Sequence, residues 1–328
     1  MTWINRPLYA AAVLLVLFSP ALGDPVFSLT QLWQLSVPSA SPSLEALILQ
    51  ELRWPRTLVA VLGGAALGCA GCLLQRLTSN QLASPGLIGI NQGAALGLVL
   101  LILSPLPLSP FLSFSAAFSG ALLAMILVFT ITRLGFGFLS PEGLLLCGAL
   151  LGSLYGALTL ALLLINQHAL EQIRFWLAGS LAYVEPSQLG PLAVLVVVGL
   201  AFAFLLQRRL QLLELGSDVA HGLGTNPLLT LIQVMMVILL LTAAAVAVIG
   251  PILFLGLVVP HLAHHIWGDQ LWRQLAGSAV LGALLLVAAD TLVRMIPLGD
   301  QLPPSVPLAA VGVPCFIWLI MRRYGQES

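Results

Sequence analysis

The sequence alternates between long apolar runs and short polar connections. A helix needs about 20 mainly apolar residues to cross the hydrocarbon core of a membrane, and most of the runs lie near this length. The pattern therefore predicts an all-α polytopic membrane protein with about ten transmembrane helices in one domain over residues 1–328. The runs are Leu8–Leu22, Thr57–Leu74, Gly86–Leu103, Phe111–Ile131, Leu144–Ile165, Leu189–Leu206, Leu228–Ile249, Ile252–Trp267, Leu275–Val293 and Val306–Met321.

A polar segment at residues 208–227 separates the sixth and seventh runs. Ser217 can cap a short helix there, Asp218 falls in the first turn, where the helix dipole favours a carboxylate, and Gly224 can end the helix. Such a helix is too polar for lipid and too ordered for a plain linker. We interpret the segment as a docking site for a soluble partner, with an ordinary surface loop as the alternative.

Two further predictions concern the first apolar run and the long connection that follows it. The connection covers residues 24–52, and its last part, Ser43–Leu52, is predicted to be a surface helix at the membrane interface. The first run resembles a secretory signal peptide, because residues 21–23 resemble a cleavage site. We favour a retained span, since an even number of spans puts both basic ends of the chain on one side of the membrane.

The composition is that of a membrane protein. Apolar residues make up 59% of the chain and charged residues 7%, against about 45–50% and about 25% in soluble domains. No soluble fold can bury this much apolar surface. The formal net charge is zero, lysine is absent and the arginines are scattered, which argues against nucleic-acid binding.

The arginines also predict the orientation of the chain, because cytoplasmic connections carry an excess of basic residues. With a cytoplasmic N-terminus, most of the arginines fall inside, and both termini and the segment 208–227 are cytoplasmic. The inner arginines are Arg6, Arg76, Arg133, Arg208, Arg209, Arg273, Arg322 and Arg323, and the outer ones are Arg53, Arg56, Arg174 and Arg294.

Three outer arginines stand at the ends of apolar runs. Arg53 and Arg56 precede the second run, and Arg294 follows the ninth. Because guanidinium groups bind carboxylates through paired hydrogen bonds, they predict a docking site for an extracytoplasmic protein or an anionic solute. The alternative is snorkelling to lipid headgroups. Asp290 lies four residues before Arg294, which is the spacing of a structural ion pair on one helix face.

Residues suited to catalysis are scarce. His261, His264 and His265 lack the glutamate of the zinc-protease motif, and interfacial packing is favoured over metal binding. Cys69 and Cys72 lie in an apolar run, where small packed thiols are favoured over a redox or metal pair. The sequence contains no Walker A motif. An ion-coupled carrier usually needs ionisable groups at mid-membrane, and these are nearly absent, so another chain is expected to supply the energy for transport.

Six ordered motifs resemble the permease subunits of ATP-binding-cassette importers for iron–siderophore complexes, haem and vitamin B12, the FecCD type. They are Leu52–Arg56, Asn80–Ile90, Leu215–Gly224, Gly250–His261, Ala289–Arg294 and Leu302–Pro314. The resemblance covers most of the chain after the first fifty residues. Among such permeases, those for ferric citrate look most similar, through Ala83–Asn91, Ala220–His221 and Pro314–Phe316.

The resemblance implies a type II importer permease fold with ten helices per subunit and cytoplasmic termini. Such a permease lies in the bacterial inner membrane with a second permease subunit, identical or paralogous, and two ATP-binding-cassette ATPase subunits. A periplasmic binding protein delivers the solute. The partner ATPase uses ATP and Mg²⁺, so this chain is expected to be no enzyme and to hold no cofactor or metal of its own.

The resemblance also implies roles for individual residues. Arg53, Arg56 and Arg294 match the arginines that receive carboxylates of the binding protein. The residues that match the ATPase-coupling segment are Glu214, Ser217, Asp218, Val219, Ala220, His221 and Gly224. The residues that match the cytoplasmic gate are Asn80, Leu82 and Ser140.

The expected function is import of a ferric chelate, a siderophore complex or ferric citrate, from periplasm to cytoplasm by alternating access. Import of haem or vitamin B12 is the alternative within the family. Two alternatives come from other classes. One is an ion-coupled secondary transporter, whose activity would survive without an ATPase, and the other is an intramembrane metalloenzyme that uses His261 and His265.

Overall fold

A computed structural model describes residues 2–23, 25–28, 30–32, 43–136, 140–182, 184–296 and 302–324 of this protein. Among these residues the regular structure is entirely helical, as the apolar pattern predicts, and each predicted run coincides with helical structure. The helices are α1 (Thr2–Phe18), α2 (Leu44–Leu77), α3 (Ile90–Leu103), α4 (Pro110–Phe136), α5 (Pro141–Ile165), α6 (Gln167–Leu177), α7 (Pro186–Glu214), α8 (Ser217–Gly222), α9 (Pro227–Ile249), α10 (Leu255–Trp267), α11 (Leu271–Met295) and α12 (Ser305–Tyr324).

Six of the described helices are long and apolar enough to cross a membrane: α2, α4, α5, α7, α9 and α11. The apolar parts of α1, α3 and α12 are shorter, and α10 has 13 residues. The described helices therefore indicate a multi-pass membrane protein. The number of ten spans stays a prediction.

Glycine-centred turns shorten two of the helices. A 3₁₀ turn at Pro85–Ile88 leads into Gly89, which has a φ of 82°, and α3 begins at the next residue. Helix α9 ends at Gly250, which has a φ of 80°. Both glycines are buried and adopt backbone angles that a β-carbon disfavours. The chain therefore stops and restarts helices inside the bundle.

The predicted surface helix Ser43–Leu52 does not form a separate element. Residues Leu44–Leu47 continue through a π-helical stretch, Ile48–Arg53, directly into the membrane-length part of α2. The N–H of Trp54 donates to the carbonyl of Leu49 five residues back. Pro55 follows and has no N–H to donate, and the wider turn carries the helix past it.

Helix α2 lies in the core of the bundle, where glycines bring its backbone against α10 and α11. A β-carbon on any of three glycines of α2 would collide with the carbonyl of a facing residue. Small residues allow this close approach of helices in membranes. The facing pairs are Gly64 with Gly282, Gly68 with Ser278, and Gly71 with Gly256.

Replacing Gly71 with alanine is expected to lower the free energy of unfolding by about 1–3 kcal/mol, because the new methyl group overpacks a rigid contact. The measurement is thermal unfolding of the purified protein in detergent. The matched control is Gly190→Ala in α7, where a β-carbon meets no described atom within 4 Å and alanine has the better helix propensity. A Gly71→Ala protein that unfolds at or above the temperature of the control would contradict the packing.

Candidate translocation and coupling sites

Two arginines share one buried carboxylate near the predicted outer end of the bundle. The Nε of Arg56 donates to Oδ1 of Asp290 at 2.7 Å, and the Nε of Arg294 lies 3.0 Å from Oδ2 of the same side chain. Asp290 is fully buried. The predicted pair of Asp290 and Arg294 is confirmed, and Arg56 from α2 joins it. The shared carboxylate ties α2 to α11.

The arginine side chains also hold the segment that follows α1. Arg53 donates to the carbonyls of Pro20 at 2.9 Å and Pro25 at 2.7 Å. Arg294 donates to the hydroxyl of Ser19 at 2.6 Å, and this hydroxyl lies 2.8 Å from that of Thr291. The outer arginines therefore bind Ser19, Pro20 and Pro25 beside the ends of α2 and α11.

The structure thus brings the three predicted docking arginines together, yet it buries them. Arg53, Arg56 and Arg294 are 5%, 9% and 7% exposed, and each binds groups of its own chain. These contacts give the arginines a structural role, whereas docking stays a prediction. The sequence assigned no role to Ser19 or Pro20. Their polar groups are ordinary for a loop and become acceptors only through the tertiary fold.

A cavity of about 650 Å³ lies between α3, α5, α12 and the turn before α10. Its walls are mostly apolar, with Leu160, Ile252 and Phe254 among them. Two adjacent amides, Asn91 and Gln92 in the first turn of α3, also line it. Sequence reasoning did not single out these amides, because Asn and Gln at a helix start carry no distinctive spacing signal.

The three predicted gate residues have clear local roles. Asn80 is exposed, and its Oδ1 accepts the N–H of Leu82 at 2.9 Å, which closes a tight Asx turn. Ser140 caps α5 by accepting the N–H of Gly143 at 3.0 Å. The gate function of these residues stays a prediction.

The polar segment between α7 and α9 folds as the short helix α8. Asp218 lies in its first turn, as predicted. The N-cap is Gly216 rather than Ser217, so the predicted cap is wrong by one residue. The carbonyl of Gly216 accepts the N–H of Ala220 at 3.0 Å, so the helical bonds begin one residue earlier than predicted. Gly224, with a φ of 80°, lies in the left-handed turn after the helix, as the sequence predicts.

Apolar side chains project from both ends of α8 and from the helix itself. Leu215, Val219 and Leu223 are 63%, 48% and 60% exposed, whereas Ala220 is fully buried on the side that packs against α7 and α9. Exposed apolar side chains on a polar segment are typical of a protein-binding surface. We call Leu215, Val219 and Leu223 the apolar knob.

An ion-pair network ties the end of α7 to α2 and α11. Arg76 of α2 lies 3.7 Å from Glu214, which is two residues before the helix cap Gly216. The Nε of Arg76 donates to Gln274 of α11 at 2.8 Å, and its Nη2 donates to the carbonyl of Asp269 at 2.7 Å. Arg76 was predicted only as an inner arginine. Its partners are far apart in sequence and become visible only in the fold.

The structure shows the surroundings of three residues that were considered for metal binding. The Nδ1 of His264 lies 3.3 Å from Oδ1 of Asp269 and bonds to Gln274. Cys69 and Cys72 are buried free thiols in α2. Over the described part of the chain, no group of three or more His, Cys, Asp or Glu side chains is placed to hold a metal ion. That this chain needs no metal stays a prediction.

The sequence is similar to known transport proteins over almost its whole length. The model of the FecCD transport family matches residues 11–322. The Fe(3+) dicitrate transport system permease protein FecC of Escherichia coli (strain K12) is 42% identical over 293 residues, which cover 88% of this chain and 87% of the relative. The hemin transport system permease protein HmuU of Yersinia pestis is 38% identical over 322 residues, covering 96% and 94%.

A solved structure shares the fold. It is described as an inward-facing conformation of an ABC transporter of the metal-chelate type, and it superposes with a TM-score of 0.85 at 28% identity, covering 98% of this chain and all of the other. The family match spans far more than half of the chain, and the matches cover most of the length of the relatives. The chain therefore belongs to the FecCD transport family.

Proposed function

We propose that this protein is the membrane permease subunit of an ATP-driven importer that carries a ferric chelate into the cytoplasm. The observation that carries this proposal is the 42% identity to a ferric dicitrate permease over 88% of the chain. The exposed apolar knob beside α8 supports it, because a permease of this kind needs a surface that a soluble ATPase can grip.

The coupling mechanism follows from the contacts of α8. An ATPase that binds the apolar knob pushes on Ala220, which is buried against the bundle. Glu214, close to Arg76, then passes the displacement to α2, and Arg76 passes it to α11 through Gln274. The helices reorient around the cavity beside α3, which opens alternately to the two sides. The ATPase partner supplies ATP, Mg²⁺ and the hydrolytic chemistry, and this chain contributes no ATP site and no cofactor.

The proposed topology has ten spans with both termini in the cytoplasm, in the bacterial inner membrane. The short helices α3 and α10 count as spans. Gly89 and Leu255, at their broken ends, are buried in the bundle and away from lipid, where irregular backbone is tolerated. This topology puts α8 on the cytoplasmic side and the cluster around Asp290 on the outer side.

The proposed assembly holds a second permease subunit, identical or paralogous, two ATPase subunits and a periplasmic binding protein. A stripe of exposed leucines runs along α5 at four-residue spacing, and this face can meet either lipid or the second permease. The stripe is Leu146, Leu150, Leu154 and Leu158. The binding protein is proposed to dock at the outer ends of α2 and α11, near Arg53, Arg56 and Arg294.

Uptake of radiolabelled iron tests the proposed function. Cells with and without this gene receive iron as ferric dicitrate, as a catecholate complex or as a hydroxamate complex, and labelled haem and cobalamin in parallel. We expect uptake of one ferric chelate to fall to the background of the gene-deleted strain. Loss of haem uptake alone would favour the alternative to which the hemin permease relative points. Uptake that persists in a strain lacking the ATPase would contradict an ATP-driven importer.

A further inference from the structure

Helix α3 begins deep in the bundle rather than at its end. Gly89, the residue before α3, packs against the carbonyl of Gly148 and the backbone of Gly152 in α5. With a rise of about 1.5 Å per residue, these glycines lie about 10–16 Å from the first residue of α5. The N-terminus of α3 is therefore buried at the level of the third and fourth turns of α5.

This buried N-terminus lacks a side-chain cap. The first N–H groups of a helix have no acceptor within the helix, and the N-cap residue Gly89 supplies no side-chain oxygen. The carbonyl of Gly89 accepts the N–H of Gly93 at 2.9 Å, which is the first helical bond of α3. A helix N-terminus carries a partial positive charge that favours anions, and this one lies beside the 650 Å³ cavity.

The amides of the first turn supply an independent sign of a ligand. Asn91 lines the cavity, is only 4% exposed, and its Oδ1 has no hydrogen-bond partner within the described chain. The Oε1 of Gln92 has none there either, and Gly152 and Gly156 leave room for this side chain. Because buried polar atoms are costly without a partner, these amides are suited to a partner that comes and goes.

The rest of the cavity decides the strength of binding. No charged side chain is among the described residues that line it. An anion is therefore held by helix N–H groups and by carboxamide N–H groups, which rotation about the last side-chain bond can present, without a full counter-charge. Such a site binds an anionic group well enough to admit it and weakly enough to release it, as a transport pathway requires.

We infer that the N-terminus of α3, with Asn91 and Gln92, forms a transit site for the anionic oxygen groups of the cargo. The site selects a ferric chelate with exposed carboxylate or phenolate oxygens over an uncharged chelate. The inference rests on the proposed function and narrows its substrate class. The apolar walls contact the carbon skeleton of the chelator, and the N-terminus of α3 binds its anionic oxygen groups.

The test uses the complete transporter in proteoliposomes, with loaded binding protein and ferric dicitrate as the probe. Asn91→Asp is close to isosteric, and the start of the helix offsets part of the cost of burying a carboxylate, but the variant fills the anion site with a negative charge. We expect the maximal uptake rate to fall about tenfold or more, the cost of losing a hydrogen bond to a charged group. The half-saturating concentration of loaded binding protein reports docking at the outer face, and it is expected to stay near the wild-type value.

Two further variants keep the test decisive. Asn91→Leu removes the amide without burying a charge, and we expect a smaller fall in the maximal uptake rate. If the Asn91→Asp transporter does not assemble, the uptake rate of Asn91→Leu tests the transit site. Asn166→Asp makes the same charge change at the exposed cap of α6, where the side chain accepts the N–H of Ala169 and either residue caps equally well. This control is expected to transport at the wild-type rate.

The outcomes separate the inference from the proposed function. Wild-type uptake by both Asn91 variants overturns the transit site and leaves the importer intact. A wild-type transporter that carries only an uncharged ferric chelate also overturns it, while the proposed function stands. A wild-type transporter that carries no ferric chelate overturns the proposed function itself, and the inference with it. A rate that falls at unchanged half-saturation supports the site.

Discussion

Replacing Asp290 with asparagine is expected to lower the free energy of unfolding by about 3–5 kcal/mol, the usual cost of removing one partner from a buried ion pair. The carboxylate is fully buried and lies between Arg56 and Arg294. Its loss leaves two buried guanidinium groups without the anion that joins them. Thermal and denaturant-induced unfolding of the detergent-solubilised protein, followed by circular dichroism, measures the change.

The control for this experiment is Asp269→Asn. Asp269 also faces an arginine, at 4.0 Å from Arg76, but its side chain is 86% exposed. Exposed ion pairs contribute about 0–1 kcal/mol, so the control is expected to unfold almost as the wild type does. Equal stability of the two variants would show that the buried carboxylate does not hold α2 and α11 together.

Substitutions of the arginines in this cluster distinguish their structural role from a role in docking. Arg53→Lys keeps the positive charge, but a single ammonium group does not reproduce the fork that reaches the carbonyls of Pro20 and Pro25. A structural role predicts a less stable protein with near-normal affinity for the binding protein. Docking predicts that reversing the charge of Arg53 and Arg56 weakens binding-protein affinity and uptake, and unchanged affinity and uptake would refute it.

The features that the sequence predicted correctly are local ones. Apolar runs locate the helices because each run must bury its own backbone groups. Asp290 and Arg294 are four residues apart on one helix, so their pairing follows from helix geometry. The positions of Asp218 in the first turn of α8 and of Gly224 just after the helix depend on residues within one turn. Such features need no knowledge of which helices are neighbours.

The features that the sequence missed depend on tertiary neighbours. Arg56 meets a carboxylate 234 positions away, and Arg76 meets Gln274 across 198 positions. The spacing of apolar residues along the chain does not indicate which distant residues form such pairs. The depth at which α3 begins is also set by packing, because Gly89 fits only against the glycines of α5. The burial of the predicted docking arginines also depends on tertiary neighbours.

Removing the apolar knob is expected to abolish ATP-driven uptake while the permease stays folded. The variant carries Leu215→Ala, Val219→Ala and Leu223→Ala, and all three side chains are exposed in this chain. Truncation of apolar anchors at the centre of an interface costs about 2 kcal/mol or more, so the affinity for the ATPase is expected to fall at least about 30-fold. Co-purification with the ATPase subunit and uptake in proteoliposomes measure the two effects.

A matched truncation shows whether the knob itself is responsible. Leu44→Ala with Leu106→Ala removes similarly exposed leucines, 75% and 55% exposed, from the opposite end of the proposed topology. This control is expected to keep both the ATPase and uptake. Thermal unfolding of both proteins checks that the helical bundle is intact, because surface truncations usually change stability by less than about 0.5 kcal/mol.

Glu214→Gln then separates binding of the ATPase from transmission of its motion. Glu214 is not part of the apolar knob and lies 3.7 Å from Arg76, so the amide variant is expected to bind the ATPase normally. Without the charge that attracts Arg76, less of the motion of α8 reaches α2, and fewer solutes are expected to enter per ATP hydrolysed.

If the triple variant of the apolar knob still bound the ATPase and transported normally, the apolar knob would not be the coupling surface. The force would then have to enter the bundle through another segment on the proposed cytoplasmic side.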